Sequence, residues 1–209
     1  MKIKQSSPSC CGRGFFLCCL LFLMACRQDG CVSILPVDCD LQTGDVVFRR
    51  GGGVTSHAVL IAEQGGAYSH VGIVVDSAGM KMIVHAVPDE PDFEGDCDRV
   101  KMDPPEVFFN EVRAARGEVC RHQDTALARN AAKVALEVYR RHTPFDHDYD
   151  DADTTRMYCT ELVTYAFSQA GKPLSGIQHH ELRFLSLETN CVLPSDILEC
   201  KDLYSIIKF

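Results

Sequence analysis

Apolar and polar residues follow two patterns along the chain, one typical of amphipathic helices and one typical of buried strands. Helical spacing is clearest after residue 158, where apolar residues recur three and four positions apart. These residues are Leu162, Val163, Ala166 and Phe167. The pattern predicts a helix that begins at or near Cys159 and ends before Gly171 and Pro173, residue types that are common where helices stop.

The same spacing predicts a long helix over residues 124–141, with Asp124 as the N-cap whose carboxylate accepts from the first backbone N–H groups. Shorter helices are predicted at 55–64 and 104–112. Strands are predicted within 41–49, over 68–75, 80–86 and 118–121, and near 203–207, while 88–98 and 175–192 are predicted to be loops. The first of these loops is acidic and is expected to be solvated.

Two of the predicted strands form a hairpin that carries a pair of histidines. Residues 68–75 are β-branched and apolar, and residues 76–79 are typical of a turn that leads into the returning strand. If the loop is symmetric about the bond that follows Ser77, His70 lies directly opposite His85, with Cβ atoms about 4.5–5.5 Å apart. Adjacent histidines at the end of a buried hairpin are hard to explain by packing, so both are candidate functional residues.

The N-terminal residues have the pattern of a targeting signal. A positively charged segment precedes the apolar run 15–25, which is too short to span a bilayer as a stable helix. The run ends in Leu-Met-Ala-Cys, which resembles the lipobox of bacterial lipoproteins and predicts lipidation of Cys26. We expect a signal peptide over 1–25, a tether over 26–40 and one domain over 41–209, exported and held at a membrane by the lipid. An ordinary secretory signal is the alternative.

Composition narrows the classes of function. The chain has 29 acidic and 21 basic residues and no basic stripe, which argues against nucleic acid as a partner. Six cysteines could form up to three disulfides in an exported protein, and the sequence does not choose among the pairings. They are Cys31, Cys39, Cys97, Cys120, Cys191 and Cys200. No spacing fits zinc, and the aspartates within 146–153 lack the glycine and glutamate of an EF-hand loop, so no metal or other cofactor is expected.

Cys159 is the candidate nucleophile. At a helix start its sulfur meets unpaired backbone N–H groups and the positive end of the helix dipole, which favour the thiolate. A small buried apolar role is the alternative for any single cysteine. His70 is expected to act as a general base or to form an imidazolium–thiolate pair with the sulfur, and His85 is expected to orient its ring. Backbone N–H groups of the helix start are expected to stabilise an oxyanion; Tyr158 is a further candidate donor, with apolar packing as its alternative.

Four segments together resemble a known family. They are Leu-Gln-Thr-Gly-Asp-Val-Val-Phe at 41–48, Tyr-Ser-His-Val-Gly-Ile at 68–73, Pro-Phe-Asp at 144–146 and Tyr-Cys-Thr-Glu-Leu-Val at 158–163. In this order they resemble the circularly permuted papain-like proteins of the NlpC superfamily, above all the YiiX-like branch, in which the histidine precedes the cysteine. Relatives of lecithin:retinol acyltransferase share that order and use a second histidine, which His85 matches; many bacterial members carry glutamate there.

The resemblance implies an α+β fold in which an antiparallel sheet or partial barrel packs against helices and the catalytic cysteine begins a helix. It implies a cysteine peptidase or amidase that works through Cys159, His70, His85 and an acyl-thioester intermediate. Cell-wall (peptidoglycan) peptides are the first substrate class it suggests, and lipid-derived esters or amides are the alternative. A non-catalytic binding lipoprotein is the third hypothesis. Charged groups in the pocket would indicate a peptide, and a long apolar groove would indicate an acyl chain.

Overall fold

The computed structural model describes residues 32–63, 65–150, 152–184 and 187–209. Within them the strands are β1 (Val46–Arg49), β2 (His70–Ser77), β3 (Met80–Val87), β4 (Arg99–Asp103), β5 (Gly117–His122), β6 (His180–Phe184), β7 (Leu187–Cys191) and β8 (Leu203–Lys208). The helices there are α1 (Val54–Ala62), α2 (Pro105–Phe108), α3 (Thr125–Arg140), α4 (Cys159–Gln169) and α5 (Pro194–Leu198). None of these helices is long and apolar enough to cross a membrane. The predicted signal peptide and Cys26 lie outside the described residues.

Six strands form one antiparallel sheet in the order β4-β3-β2-β1-β5-β8, and β6 pairs with β7 in a separate hairpin. Alternate residues of β2 face opposite sides of the sheet, as the strand period of two requires. Val71 and Ile73 pack in the larger apolar cluster with α3 and α4, whereas Val74 packs in a smaller cluster with Phe108 of α2. The predicted α+β class with an antiparallel sheet is therefore confirmed.

Both long helices begin where the sequence predicts. The Asp124 carboxylate accepts hydrogen bonds of 3.0 Å from the N–H groups of Ala126 and Leu127, which confirms it as the N-cap of α3. α4 begins at Cys159, directly after the extended residue Tyr158. The backbone N–H of Tyr158 donates to the Glu161 carboxylate at 3.3 Å, so an acidic side chain of the first turn satisfies a group at the helix start.

The β2–β3 hairpin has a different register from the predicted one. Ala78 and Gly79, with φ values of 54° and 82°, form the turn, so the hairpin is symmetric about the bond between them rather than the preceding one. Continuing the register past its last pair places Gly72, and not His70, across from His85. The predicted direct opposition of the histidines is therefore wrong. Because the shift is two residues, both still point to one face and lie diagonally.

Other differences concern short, polar segments. β4 was not predicted, because it is a five-residue edge strand in which Lys101 and Asp103 occupy buried positions that a sequence pattern assigns to apolar residues. The predicted loop over 175–192 contains β6 and β7, which are only five residues long each, a length over which an alternating pattern is a weak signal. The helix predicted over 104–112 ends at Phe108, which leaves α2 only one turn long.

The described N-terminal residues belong to the folded domain. The N–H of Ile34 donates to the carbonyl of Phe109 at 2.9 Å, and both Ile34 and Leu35 pack against the smaller apolar cluster. Part of the segment predicted as a tether is thus held on the sheet. The described residues hold six cysteines, namely Cys39, Cys97, Cys120, Cys159, Cys191 and Cys200. No two of these six form a disulfide with each other, and Cys31 lies outside the described residues.

Gly72 provides a test of how closely β2 and β3, the strands that carry the two histidines, pack together. A Cβ at this position would lie 2.8 Å from Ile83 Cγ2, 3.1 Å from the carbonyl of Val84 and 3.2 Å from His85 Cβ. We expect Gly72→Ala to lower the free energy of unfolding by about 1–3 kcal/mol, because the backbone must move to accept the methyl group. Gly52→Ala is the matched control, since nothing lies within 4 Å of its Cβ position. Urea unfolding measures both; equal stability of the two variants would contradict the described packing.

Candidate active site

A cavity of about 620 Å³ brings the candidate residues together. Cys159 from the start of α4 and His70 from the start of β2 both line it, although they are 89 positions apart in the chain. Its wall also carries four charged side chains, Arg49, Asp89, Glu90 and Arg113. The cavity therefore combines a thiol, an imidazole and a polar, charged wall.

The two histidines form a hydrogen-bonded pair. His70 Nε2 lies 2.9 Å from His85 Nδ1, and the rings meet edge to face with centroids 5.0 Å apart. His85 is completely buried, and His70 is 6% exposed. On its other side, His85 Nε2 lies 3.2 Å from the Asp103 carboxylate. The chain of contacts His70–His85–Asp103 thus crosses three neighbouring strands, β2, β3 and β4.

Burial keeps both imidazoles neutral. Loss of water lowers the pKa of His70 well below its ordinary value, and the positive charge of Arg49 lowers it further. Loss of water also lowers the pKa of His85, although the hydrogen bond and charge of Asp103 act in the opposite direction. We conclude that near neutral pH the pair can accept a proton but does not already hold an extra one.

The Cys159 sulfur is a thiol in this structure. Burial raises the pKa of Cys159 to about 12, and this outweighs the lowering by hydrogen bonds from backbone groups of Val71, Thr160 and Cys159 itself. The N–H groups of the helix start act in the expected direction and favour the thiolate, but the loss of water outweighs them. The contact with Val71, the residue after His70, places the sulfur at the start of β2.

A charged network lies behind the histidines. Arg49, which is 2% exposed, forms an ion pair with Glu90 and donates to the carbonyl of Phe108 at 2.9 Å. Its guanidinium lies 4.6 Å from the Phe108 ring centroid, and that ring also contacts both histidines. Arg113 lies 3.2 Å from both Glu90 and Asp103. The loop predicted as a solvated acidic face therefore supplies Glu90 to the buried network, and that prediction is wrong for this residue.

Two tyrosines lie near the start of α4. The Tyr158 hydroxyl accepts a hydrogen bond of 3.2 Å from the N–H of Val192, and Tyr158 is not among the residues that line the cavity. Tyr149 does line the cavity, has a φ of 54°, and packs its ring 5.3 Å from that of Tyr158. Burial raises the pKa of Tyr149, and nearby Cys159 raises it further, so its hydroxyl keeps its proton. The geometry thus brings Tyr149, rather than Tyr158, to the cavity.

The residues that sequence reasoning missed are mainly charged and distant from the motifs. Asp103 lies on the unpredicted β4, and Arg49, Glu90 and Arg113 come from three separate segments. The only local signal for β4 is the alternation of Val100 and Met102, which is short and flanked by charges. No local signal connects the other three residues to the site.

The acidic segment after Phe145 is satisfied by the protein itself. The buried Asp146 carboxylate accepts from the N–H groups of Asp148 and Asp150, and Arg156 lies 3.4 Å from it. Throughout the described residues, no group of three or more histidine, cysteine, aspartate or glutamate side chains is arranged to hold a metal ion.

A cysteine at a helix start, sharing a cavity with His70 of a hydrogen-bonded histidine pair on an antiparallel sheet, is the arrangement of a papain-like cysteine hydrolase. A family model described as "Permuted papain-like amidase enzyme, YaeF/YiiX, C92 family" matches residues 40–207. The chain belongs to this family of permuted papain-like amidases and is a cysteine hydrolase. The wider resemblances to the NlpC superfamily and to lecithin:retinol acyltransferase remain predictions from the motifs.

A solved structure has a similar fold. It is titled as the metalloprotein yiiX from Escherichia coli O157:H7 and matches with a TM-score of 0.63 and 22% sequence identity, over 80% of this chain and 97% of that chain. At this identity the likeness shows the shared fold alone. No curated protein matches the chain.

The neutral histidines predict how stability depends on pH. The unfolded chain protonates its histidines near pH 6.5, whereas buried His70 stays neutral, so the unfolded state binds more protons and stability falls as the pH drops below 6.5. His70→Gln removes one such group. Between pH 7.5 and 5.5 we expect the variant to lose about 1.4 kcal/mol less unfolding free energy than the wild type. Urea unfolding at both pH values measures this; an identical loss in both proteins would contradict a neutral His70.

Proposed function

We propose that this cysteine hydrolase acts outside the cytoplasm and cleaves amide bonds in cell-wall peptides, with Cys159 as nucleophile, His70 as base and His85 as orienting residue. The observation that supports it most directly is the shared cavity, which Cys159 and His70 both line while His85 holds the His70 ring at 2.9 Å. A binding module would not need a buried pair of neutral imidazoles beside a thiol.

The first chemical step is attack by sulfur with transfer of its proton to His70. Since the thiol is neutral and His70 is neutral, general-base catalysis is favoured over a resting imidazolium–thiolate pair. As the C–S bond forms, the amide oxygen takes the electron pair of the carbonyl and becomes an oxyanion, which backbone N–H groups at the start of α4 stabilise. The C–N bond then breaks as the departing amine receives the proton from His70, which leaves an acyl-thioester on Cys159.

Water completes the cycle. His70 takes a proton from water as its oxygen attacks the thioester carbon, and the C–S bond breaks to release a carboxylic acid. The proton returns from His70 to the Cys159 sulfur. The reaction consumes one water, and Cys159 and His70 both return to their starting protonation states.

The wall of the cavity favours a charged, peptide-like substrate over a long acyl chain. Arg113 and Asp89 bring opposite charges to the cavity, and Glu90 and Arg49 form an ion pair in its wall. Such groups recognise the ionised ends and side chains of peptides, whereas an acyl chain needs a continuous apolar groove. Cell-wall peptides carry these charges. The lipobox-like end of the apolar run at Cys26 supports a position at the outer side of a membrane, where that substrate is found.

The decisive test is turnover of purified peptidoglycan peptides, with acyl lipids as a parallel substrate set. Wild-type protein should cleave the peptides and release one new amine per bond, whereas Cys159→Ala should reduce kcat to background, because the nucleophile is gone. His70→Gln should lower kcat by about 10²–10⁴-fold, the typical contribution of a general base. New amino groups and mass spectrometry of the products measure both effects.

Cys97→Ala is the matched control, because Cys97 is an exposed free cysteine that does not line the cavity. It should retain wild-type turnover. Cleavage of acyl lipids alone would move the enzyme to the acyltransferase-like alternative. Peptide cleavage that survives Cys159→Ala would overturn the assigned nucleophile.

A further inference from the structure

We infer that Asp103 is a positioning residue that sets the protons on both histidines, so that Nδ1 of His70 is the nitrogen left free to take a proton. This inference rests on the proposed role of His70 as base. It adds a fourth member, on a third strand, to the group of Cys159, His70 and His85. Asp103 reaches the reaction only through the two imidazole rings.

The first step concerns the charge of Asp103. Its side chain is almost fully buried, yet two cations hold it: Arg113 at 3.2 Å and Lys101 at 3.9 Å. Burial raises the pKa of Asp103, but the hydrogen bond that His85 donates and the charges of Lys101 and Arg113 outweigh it, so the pKa lies below its ordinary value. An ionised carboxylate has no proton to donate and only accepts hydrogen bonds.

The second step follows from hydrogen-bond chemistry. Since Asp103 only accepts, the nitrogen facing it, His85 Nε2, must carry the proton. A neutral imidazole has one N–H, so His85 Nδ1 is then an acceptor. His70 Nε2 faces that acceptor at 2.9 Å and must therefore donate. The His70 proton is thereby held on Nε2, and Nδ1 keeps its lone pair.

Charges around the rings favour this neutral arrangement over one in which His85 is an imidazolium. Arg49, Lys101 and Arg113 are cations of the same network, and its carboxylates are Asp103, Glu90 and Asp92, which contacts Lys101. An additional positive charge on His85, which is completely buried, would have no further carboxylate of this network to pair with. Without Asp103, neither ring nitrogen of His85 would be preferred, and half of the possible arrangements would place the His70 proton on Nδ1.

The proton positions can be observed directly. Two-bond 1H–15N correlations of histidine rings show which nitrogen carries the proton, and His70→Gln and His85→Gln variants assign the signals. In the wild type we expect both rings neutral and protonated on Nε2 at pH 7.5. In Asp103→Asn the side-chain amide can donate as well as accept, so a second form with His85 protonated on Nδ1 should appear. A wild-type His85 protonated on Nδ1, or unchanged spectra in Asp103→Asn, would overturn the inference.

Activity gives the second readout. Replacing the analogous aspartate of a serine-protease triad by asparagine costs about 10⁴-fold in kcat, because the imidazole adopts the wrong tautomer. Asp103 lies one ring further from the nucleophile, so we expect a loss on the order of 10²-fold in kcat with little change in KM. Asp76→Asn is the matched control: it removes one carboxylate from the exposed turn end of β2, and it should keep wild-type spectra and kcat. A thermal unfolding scan of each variant separates loss of fold from loss of activity, and a folded Asp103→Asn with wild-type kcat would overturn the inference.

The two readouts separate this inference from the proposed function. Wild-type protein with both rings protonated on Nε2 but no turnover of either substrate set would overturn the proposed function and leave the role of Asp103 in place. Turnover that depends on Cys159, together with a His85 proton found on Nδ1, would support the proposed function and overturn the role of Asp103.

Discussion

The hydrogen bond between two buried imidazoles is the interaction around which this sheet is arranged. A buried polar ring costs free energy unless its nitrogens are paired, and His85 has no access to water. Its two nitrogens face His70 and Asp103, on the neighbouring strands at either side. Gly72 leaves the space that this packing needs, and Phe108 of α2 covers both rings. Residues of β2, β3, β4 and α2 thus all contact this one pair of side chains.

The charged network extends the same constraint toward the cavity. Arg49 is buried and therefore requires a carboxylate, which Glu90 supplies from a loop, and Arg113 joins Glu90 to Asp103. Arg49, Glu90 and Arg113, which pair with one another next to the histidines, also line the cavity. A substrate charge that contacts Arg113 would therefore act on a group that also touches Asp103. The side chain that would contact a substrate charge is therefore a direct neighbour of the carboxylate that faces His85.

The permuted chain of the C92 family explains why the histidine of the site precedes the cysteine in the sequence. His70 precedes Cys159 by 89 positions, yet each of them begins an element, β2 and α4, at one cavity. A cysteine at a helix start is commonly activated by lowering of its pKa, but here burial raises it. A neutral thiol requires a base close by to become a nucleophile, and His70 is the imidazole that lines the same cavity.

The sequence alone determined the features that depend on local chemistry. Helical spacing and the cap at Asp124 placed α3 and α4, the motifs around His70 and Cys159 identified the family and the candidate residues, and strand alternation placed both histidines on one face. Tertiary structure decided what depends on groups far apart in the chain. The true register, the contact with Asp103 and the raised pKa of Cys159 all arise from burial and from charges on β4 and the loops, and no local pattern encodes how much water a side chain loses when the sheet closes around it.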